Sequence, residues 1–580
     1  VQAAELALPL SLADVGSVLG LERQKMTEGK ELIKYFCVPC KPTKSNGNCT
    51  RNRPCHDINK WETFKKYCMR DVDVERQIAD KLKMYPISDE EHRLYVLDQI
   101  INDRGVLVDS ELAEQAVKLN SIQTAVAVEQ AYMITGLENP NSVTQLKQWL
   151  KEKGVEIESL SKKSVKSLAD ETDGDVSEML KLRLLMAKTS VKKYEAVIRS
   201  VCSDNRVHGM MRFCGANRTG RWSGNILQPQ NLPQNHLPDL TLARDIVKDG
   251  DFEMLDMMFG NVPNVLSELI RTVLIPKPNH RFIVADFSAI EARVLAWIAG
   301  EQWRIDTFKN GGDIYCASAS KMFKVPVEKH GVNGELRQKG KISELACGYG
   351  GSVGALKNMG AVEMGVQENE LQGLINDWRN ANPHIVRFWY EVGNAAMKAI
   401  KEKTTVPLGK LVFAYERGIL FIRLPSGRRL SYIKPRIGTN RFGGDSITYM
   451  GINSAKKWDR LETFGGKLTE NIVQGTARDL LANALINAAN AGYDTVFHVH
   501  DEIICEVPNG YGSVDELCKL MCIKPEWADG LPLNADGFEC EYYIKAHMPC
   551  PLPWQPPTIC TFSITPSFAS ITINLEQTPP

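Results

Sequence analysis

Residues 280–287 read HRFIVADF and residues 496–507 read VFHVHDEIICEV, and these two apolar, β-branched stretches decide the fold. The first stretch places Asp286 at the end of a predicted strand. The second contains Asp501 between two short apolar runs, after the turn-prone residues AGYD. Helical patterns and a glycine-rich stretch, GYGGSVGALKNMGA, separate the two strands. The sequence therefore predicts an α+β fold.

Asp286 and Asp501 form the first candidate site. Phosphoryl transfer to a 3′-hydroxyl uses two divalent ions about 3.5–4 Å apart, and Mg²⁺ prefers hard oxygen ligands such as carboxylates. Two aspartates on neighbouring strands would meet that need. Two alternatives stay open at this point. A single Asp at a strand end is more often a turn or cap residue. His498 and His500 alternate along the predicted strand, so they are expected to face one side and could instead bind zinc.

A basic helix is predicted over residues 337–349, which read RQKGKISELACGY. Arg337, Lys341, Leu345 and Tyr349 recur every four residues, so on a helix they share one broad face. Two cations followed by a ring suit a nucleoside triphosphate, because the cations can bind phosphates while the ring contacts the base or sugar. The glycines that follow are expected to end the helix. The open alternative is a solvated basic helix.

Composition limits the class of protein. The chain has 580 residues and a formal net charge of zero, which favours several domains and argues against a bulk polyanion binder, although not against a local basic groove. Its 15 cysteines are odd in number and scattered along the chain, so reduced thiols are expected instead of a secreted disulfide framework. No apolar run approaches the ~18 residues of a membrane span, and no signal peptide opens the chain. We therefore expect a cytoplasmic protein without a membrane partner. Because the first residue is Val1, we also expect a fragment or a processed product.

Three ordered segments resemble the family A DNA polymerases of bacteriophages and bacteria. DFSAIEARVLAW, from Asp286 to Trp297, is similar to motif A of that family. Arg337, Lys341 and Tyr349-Gly350 are similar to motif B, and His500-Asp501-Glu502 is similar to motif C. Three further segments also resemble the family: TGRWSGNILQPQNLP (219–233), NSVTQLKQWL (141–150) and ENIVQGTARDLL (470–481). The resemblance extends from about Leu8 to Lys545.

The resemblance implies a right-hand polymerase fold of palm, fingers and thumb, behind an incomplete N-terminal exonuclease-like domain. The expected limits are 1–85 for the partial 3′–5′ exonuclease-like domain, 86–200 for the thumb, 201–295 for the first part of the palm, 296–445 for the fingers, 446–545 for the second part of the palm, and 546–580 for a proline-rich tail expected to be disordered. Tyr67 and Asp71 fit the third exonuclease motif, but no Asp-x-Glu precedes them. One carboxylate cannot hold two metal ions, so we expect no proofreading by this chain alone and a missing N-terminal part of that domain.

The resemblance also implies roles for single residues. Asp286, Asp501 and the backbone carbonyl of Phe287 would bind two Mg²⁺ ions, for which Mn²⁺ can substitute, and Glu502 would lie beside them with a lesser catalytic role. Lys341 would hold the incoming triphosphate and protonate the pyrophosphate. The other implied nucleotide contacts are Arg337 at the phosphates, Glu291 as a steric gate against a ribose 2′-hydroxyl, Leu345 and Tyr315 at the nucleotide, and Tyr349 at the templating pocket. The implied DNA contacts are Arg221, Asn471, Gln474 and His500 at the minor groove or primer end, and Lys188, Lys192 and Lys193 at the DNA phosphates. For the three lysines, a solvated helix face remains the alternative.

Two positions depart from the family pattern. Leu345 stands where relatives usually carry Phe or Tyr, so we expect altered handling of dideoxynucleotides. Tyr315 stands where many relatives carry the His of an Asp-x-His segment, so a neutral hydroxyl replaces an ionisable imidazole.

Four cysteines near the N-terminus, Cys37, Cys40, Cys49 and Cys55, together with His56, raise the alternative of a zinc site. The second cysteine pair is separated by five residues, which is looser than in a zinc knuckle. The surrounding FCVPCKPTKSNG also resembles a loop of phage polymerases in which no metal is expected. Zinc therefore stays the minor alternative.

The sequence thus predicts a template-directed DNA polymerase that adds dNTPs to a primer, acting as a monomer in the cytoplasm of a phage-infected bacterium. Primer–template DNA is the expected partner, and a processivity or replisome partner stays open. One alternative is a palm-fold RNA polymerase or reverse transcriptase, which Glu291 in the gate position opposes. The other is a non-catalytic DNA-binding remnant of a polymerase. Retention of Asp286, Asp501 and Lys341 opposes it, because a pure binder needs no metal ligands.

Overall fold

The computed structural model describes residues 1–22, 24–186, 191–440 and 443–545. Lys188 and the predicted tail at 546–580 lie outside these ranges. The described residues up to 544 belong to one compact unit. Among the helices in these ranges, none is both long enough and apolar enough to cross a membrane.

The N-terminal region is helical. Its helices are α1 (Gln2–Glu5), α2 (Leu12–Val18), α3 (Gly29–Cys37) and α4 (Ile58–Leu82). The run WETFKKYCMRDVDVERQIADKL (61–82) predicts a helix, which α4 confirms. Helix α4 begins where the Asp57 side chain accepts a hydrogen bond from the Lys60 backbone. Within residues 1–22 and 24–105 the structure contains no β-strand.

Between Asp89 and Arg199 apolar residues recur near every third or fourth position, which predicts helices, and the structure confirms them in the described part of this region. It consists of α5 (Asp89–Arg104), the short strand β1 (Val106–Val108), α6 (Ser110–Thr135), α7 (Val143–Glu152), α8 (Lys162–Glu171), α9 (Gly174–Met186) and α10 (Lys192–Ser200). Ser or Asp side chains accept backbone hydrogen bonds at the starts of four of these helices, at Ser88, Asp109, Ser142 and Ser161. Apolar faces of α6 to α9 pack around Leu146, Trp149 and Leu180.

Short strands and helices lead into the strand that carries Asp286. They are β2 (Arg206–Val207), β3 (Met211–Ala216), β4 (Arg221–Gly224), α11 (Leu240–Asp249), α12 (Phe252–Phe259), α13 (Val262–Leu269), β5 (Leu274–Ile275) and β6 (His280–Phe287). Strands β2, β1 and β5 form one antiparallel sheet, and β3 pairs with β4.

Seven helices follow β6. They are α14 (Ile290–Ala299), α15 (Gln302–Lys309), α16 (Ile314–Phe323), α17 (Leu336–Cys347), α18 (Val353–Asn358), α19 (Leu371–Ala381) and α20 (Pro383–Glu402). Helices α16 and α17 lie against each other, because Gly340 allows a close approach of their backbones. A Cβ atom at Gly340 would lie 2.3 Å from the carbonyl oxygen of Tyr315, so only glycine fits there.

A six-stranded antiparallel meander comes next. Its strands are β7 (Thr405–Leu408), β8 (Leu411–Glu416), β9 (Ile419–Arg423), β10 (Arg429–Thr439), β11 (Asp445–Ile452) and β12 (Trp458–Thr463). The stretch LPSGRRLSYI (424–433) predicts a hairpin turn at Ser426 and Gly427. The turn is confirmed between β9 and β10, where Gly427 has a φ of +91°. The predicted domain limit at 445/446 falls inside β11, and the limit at 295/296 falls inside α14.

The last described elements complete the central sheet. They are α21 (Gly465–Asn490), β13 (Thr495–Val499), β14 (Glu502–Pro508), α22 (Val514–Met521) and β15 (Ala535–Cys540). The sheet has the antiparallel strand order β13-β14-β6-β15. Ile283 and Ala285 of β6 pack with α21, whereas Phe282 and Val284 pack into a second core on the other face. Burial of both faces explains the continuous apolar run of HRFIVADF.

Candidate active site

The central sheet brings the three predicted motif carboxylates together. Glu502 on β14 is paired directly opposite Asp286 on β6, and the Phe287 backbone N–H donates to the Asp501 carbonyl oxygen at 3.1 Å. Side chains of directly opposed residues in an antiparallel pair start about 4.5–5.5 Å apart. Asp501 occupies the tight turn between β13 and β14, so it lies next to both residues.

A fourth carboxylate at this end of the sheet, Asp536, was not predicted from the sequence. It lies on β15, directly opposite Asp286 on the other flank of β6, and it accepts a hydrogen bond from the Ser288 hydroxyl. Opposed residues point to the same face of a sheet, so Glu502, Asp286 and Asp536 form a row across three strands. The strand was missed because Gly537 interrupts the apolar alternation of ADGFEC.

The oxygen atoms around Asp286 fit magnesium. The carboxylates of Asp286 and Asp501 and the carbonyl of Phe287 are hard oxygen ligands. No group of three or more His, Cys, Asp or Glu side chains within the described ranges surrounds a common metal position. Mg²⁺ keeps several waters and is commonly bound by one or two carboxylates together with substrate phosphates, so two aspartates are sufficient.

The prediction that His498 and His500 face one side of a strand is wrong. Strand β13 ends at Val499, and His500 lies in the following turn with a φ of +52°, which breaks the alternation. His498 is 1% exposed and packs edge-on against Trp222, with 4.7 Å between ring centroids. Burial, and then the positive charges of Arg478 and His500, lower the pKa of His498 to about 3. His500 is exposed, so the two imidazoles lie in different environments.

Glu291 is held by two of the other predicted residues. It lies in the first turn of α14, where its Oε1 accepts a hydrogen bond from Arg221 Nη2 at 2.6 Å. Its Oε2 accepts a hydrogen bond from the Tyr349 hydroxyl at 2.7 Å. Burial, and then the negative charge of Glu291, raise the pKa of Tyr349 well above its ordinary range, so this hydroxyl keeps its proton. Both carboxylate oxygens are thereby fixed in position.

Arg337 has a carboxylate partner that the sequence analysis missed. Its Nε and Nη2 lie 2.9 and 2.8 Å from Asp313 Oδ2, and its guanidinium lies over the Tyr315 ring, 5.2 Å from the centroid. Asp313 also accepts backbone hydrogen bonds at the start of α16. Lys341 lies one turn further along α17, and no ion pair to it occurs within the described residues.

The basic helix ends two residues earlier than predicted and begins one residue earlier. Helix α17 ends at Cys347, so Tyr349 follows the helix instead of lying on it, and Gly350 has a φ of +79°. Leu345 lies on α17 and is 51% exposed, as expected for a side chain available to a ligand.

A cavity of about 800 Å³ lies between Asp536 at the edge of the central sheet and α16, and Asp286, Asp501 and Glu502 do not line it. Ser288 lines it on the sheet side, and Asp313 and Tyr315 line it on the helical side. Lys329 and Lys524 contribute positive charge to its wall. The cavity has the size of a typical small-ligand site.

The predicted DNA contacts on α21 and β4 have protein partners in this structure. Asn471 is buried and donates to the Tyr432 hydroxyl at 2.8 Å. Gln474 is half-buried, and its Nε2 lies 3.5 Å from Glu470 Oε1. Arg221 is bound to Glu291, as described above. Contact of these side chains with DNA remains a prediction.

The lysines predicted to bind phosphates differ from one another. Lys192 is exposed at the start of α10. Lys193 donates to the backbone carbonyl of Asn231 at 3.2 Å, and burial, together with the positive charge of Arg271, lowers its pKa. Lys188 lies outside the described residues. Lys192 is therefore the better placed of the two described lysines for a phosphate contact.

The residues of the exonuclease-like motif lie on α4. Lys25 Nζ lies 3.1 Å from Asp71 Oδ2 and 5.2 Å from the centre of the Tyr67 ring. The carboxylate that would contribute to a metal site is thus bound to a lysine. In the nearby cysteine cluster, the Cys40 sulfur accepts a hydrogen bond from Asn46 at 3.3 Å, and Cys37 and Cys55 are exposed.

Comparison with known proteins agrees with this geometry. Residues 110–522 match the family described as DNA polymerase family A. A DNA polymerase of Bacillus phage SP02 is 52% identical over 548 residues, which are 94% of this chain and 85% of that protein. The chain belongs to DNA polymerase family A. A thermostable DNA polymerase I of Thermus aquaticus is 27% identical over 265 residues, covering 45% of this chain and 27% of the relative.

The fold of this family A polymerase also resembles a solved structure. The POL domain of Pol1 from M. smegmatis, in complex with DNA primer-template and dNTP, aligns with a TM-score of 0.55 and 19% sequence identity. The alignment covers 91% of this chain and 80% of that one. The predicted right-hand polymerase fold is therefore confirmed, and the chain is a template-directed DNA polymerase. The incomplete exonuclease-like domain and the absence of proofreading stay predictions.

The Leu345 position of this family A polymerase gives a first testable expectation. Replacing Leu345 with Phe is expected to lower the KM for dNTPs about threefold to tenfold, because an aromatic contact with the sugar adds about 0.5–1.5 kcal/mol. The measurement is single-nucleotide incorporation over a range of dNTP and dideoxynucleotide concentrations. Met359→Phe, at another exposed position 46% accessible, is the control. If Leu345→Phe leaves both KM values unchanged, Leu345 does not contact the nucleotide.

Proposed function

We propose that Asp286 and Asp501 hold two divalent ions, with the Phe287 carbonyl as a further ligand, and that dNTPs are joined to a primer 3′-hydroxyl at this site. The register that pairs Glu502 with Asp286 carries this proposal, because it sets Asp501 beside Asp286. Bound Mg²⁺ or Mn²⁺ ions would activate the 3′-hydroxyl and neutralise the leaving pyrophosphate.

The cations of α17 receive the triphosphate in this proposal. Lys341 has no ion pair within the described part of the chain, so its ammonium is available to bind phosphate and to protonate the leaving pyrophosphate. Arg337 reaches phosphate by exchanging its bond to Asp313 for one to the nucleotide. Tyr315, which lines the cavity beside α16, would provide a neutral hydroxyl donor.

Closure of the fingers on a matched base pair would complete the site. Because Gly340 packs against the Tyr315 backbone, α16 and α17 are expected to move together. Such closure places Arg337 and Lys341 only after correct pairing, which makes it a source of fidelity.

Primer–template DNA is the proposed partner. Lys192 would contact phosphates, and Arg221, Asn471, Gln474 and His500 would contact the minor groove or the primer end. Similarity to the polymerase of Bacillus phage SP02 supports a role in phage DNA replication, inside the cytoplasm of the infected bacterium.

A matrix of templates and nucleotides tests the proposal. The chain is incubated with Mg²⁺ and a primed DNA or RNA template, and with either dNTPs or ribonucleotides. Extension is expected with the DNA template and dNTPs, and it should stop when EDTA removes the metal. Equal use of ribonucleotides would favour an RNA polymerase, and equal use of an RNA template would favour a reverse transcriptase. Binding of primer–template without any extension would favour a non-catalytic remnant.

Glu291→Ala is expected to admit ribonucleotides. The fixed carboxylate occupies the space that a 2′-hydroxyl would need, and forcing an extra group into a packed site costs about 1–3 kcal/mol. Discrimination against ribonucleotides should therefore fall by about fivefold to 150-fold. The measurement is the ratio of kcat/KM for dCTP and CTP on one primed template.

Two variants make this test specific. Glu291→Gln keeps the volume of the side chain and should retain most of the discrimination. Glu402→Ala, at the exposed end of α20, should change nothing. If Glu291→Ala discriminates as well as the unaltered chain does, Glu291 is not the gate.

A further inference from the structure

Tyr543 packs with Phe282, Val284 and Ile504 on one face of the central sheet. Asp286 and Glu502 lie further along the same two strands and belong to the same face. Tyr543 is fully buried, its backbone N–H donates to the Leu274 carbonyl at 2.9 Å, and its ring meets Phe497 edge-on at 4.9 Å. Its hydroxyl hydrogen-bonds to the Glu502 carboxylate. Glu502 is 1% exposed, so this contact is made in the protein interior.

Arg271 determines the direction of that hydrogen bond. Its Nη1 donates to the Tyr543 hydroxyl at 3.1 Å, while its Nε and Nη2 donate to the carbonyls of Pro233 and Leu232 at 2.7 and 2.6 Å. An arginine can only donate, so the Tyr543 oxygen accepts from it and directs its own proton to Glu502. Burial, and then the charge of Glu502, raise the pKa of Tyr543 well above its ordinary value, in keeping with a protonated donor.

Glu502 links this buried contact to the proposed metal ligands. It directly follows Asp501 in the chain and is paired across the sheet with Asp286. Burial of a carboxylate that has lost a hydrogen-bond donor is unfavourable, so the side chain shifts its position. Such a shift would disturb the turn that carries Asp501.

We propose that Tyr543 is a positioning residue for nucleotidyl transfer, which acts through Glu502 to hold Asp501 in register with Asp286. The inference rests on the proposed function of the two aspartates. Arg271 donates to the Tyr543 hydroxyl, Tyr543 donates to Glu502, and Glu502 directly follows Asp501. These contacts link Arg271 to the turn that would hold the metal ions. A misplacement of about 1 Å at a reacting centre can lower a rate about a hundredfold.

Tyr543→Phe tests the inference, because it removes the hydroxyl and keeps the ring. We expect kcat for single-nucleotide incorporation to fall about tenfold to a hundredfold. The Mg²⁺ concentration for half-maximal rate should rise, and Mn²⁺ binding followed by electron paramagnetic resonance should weaken. The KM for dNTPs and the Kd for primer–template should stay unchanged. The matched control is Tyr542→Phe, which removes a neighbouring hydroxyl bonded to Thr241 at 2.9 Å and should behave as the unaltered chain does.

A double-mutant comparison separates positioning from general loss of structure. If Tyr543 acts through Glu502, adding Tyr543→Phe to Glu502→Gln should lower kcat little further. If the double variant loses kcat by the product of the two single losses, the inference is overturned. A Tyr543→Phe variant with unaltered kcat and unaltered metal dependence would also overturn it. Thermal unfolding of each variant shows whether it is folded. If the unaltered chain and Tyr542→Phe both fail to extend primers, the proposed function fails, and the inference fails with it.

Discussion

Asp501→Asn is expected to reduce the rate of primer extension by at least about a thousandfold. The substitution keeps the shape of the side chain but removes a negative charge from the turn beside Asp286. Stabilisation of charge by a catalytic metal is worth several kcal/mol, and each 1.36 kcal/mol corresponds to a tenfold change in rate. The measurement is extension of a primed template in Mg²⁺ under single-turnover conditions.

The control for this prediction lies at the other end of the same hairpin. Asp494 precedes β13 and is paired with Arg104 at the protein surface, so Asp494→Asn should leave the rate unchanged. Binding of primer–template, measured separately, should persist in Asp501→Asn because the DNA contacts remain. An Asp501→Asn variant with more than about a tenth of the normal rate would contradict the assignment of Asp501 as a metal ligand.

Arg478→Met is expected to destabilise the fold by about 3–5 kcal/mol, which is the usual effect of breaking a buried ion pair. The Arg478 side chain is 1% exposed and makes two hydrogen bonds to Glu91, one of them at 2.7 Å. Its guanidinium also lies over Trp222, 4.7 Å from the ring centre. Methionine fills part of the volume but leaves the Glu91 carboxylate buried without its partner.

Urea unfolding followed by circular dichroism measures this effect. Arg199→Met is the matched control, since Arg199 is 72% exposed and its distance to Glu195 is 3.9 Å. Exposed pairs of this kind contribute about 0–1 kcal/mol. The double variant Glu91→Leu with Arg478→Met should recover part of the lost stability, because no charge is then left unpaired. Equal effects of Arg478→Met and Arg199→Met would show that burial of the pair carries no stability.

The parts of the site that followed from sequence are those fixed by local pattern. The apolar run before Asp286 identified a strand buried on both faces, and the four-residue spacing from Arg337 to Leu345 identified one face of a helix. Gly427 marked the hairpin turn, because a φ of +91° suits glycine. In each case the residues that determine the element are close together in the chain.

The parts that were missed depend on contacts between distant segments. Asp313 and Arg337 are brought together by the packing of α16 on α17, which requires a glycine at 340. The approach of Asp536 to Asp286 requires β15 to join the sheet after about 250 intervening residues, which periodicity cannot reveal. His500 was placed on a strand because alternation continued through it, although the chain turns there. The six-stranded meander across the expected domain limit was also missed, although each of its strands pairs with its neighbour in the chain.

The ion pair between Asp313 and Arg337 would make the proposed binding of a nucleotide at Arg337 an exchange of anions. Before a nucleotide arrives, Arg337 already has an internal counterion at 2.8 Å. A phosphate group must therefore compete with a carboxylate instead of with water alone, so the free energy gained is a difference between two ion pairs. A weakly charged ligand gains little from that exchange, whereas a triphosphate, with several negative oxygens, gains more. In the proposed site, Arg337 would thereby contribute to selecting ligands by charge, and the displaced Asp313 would still cap α16.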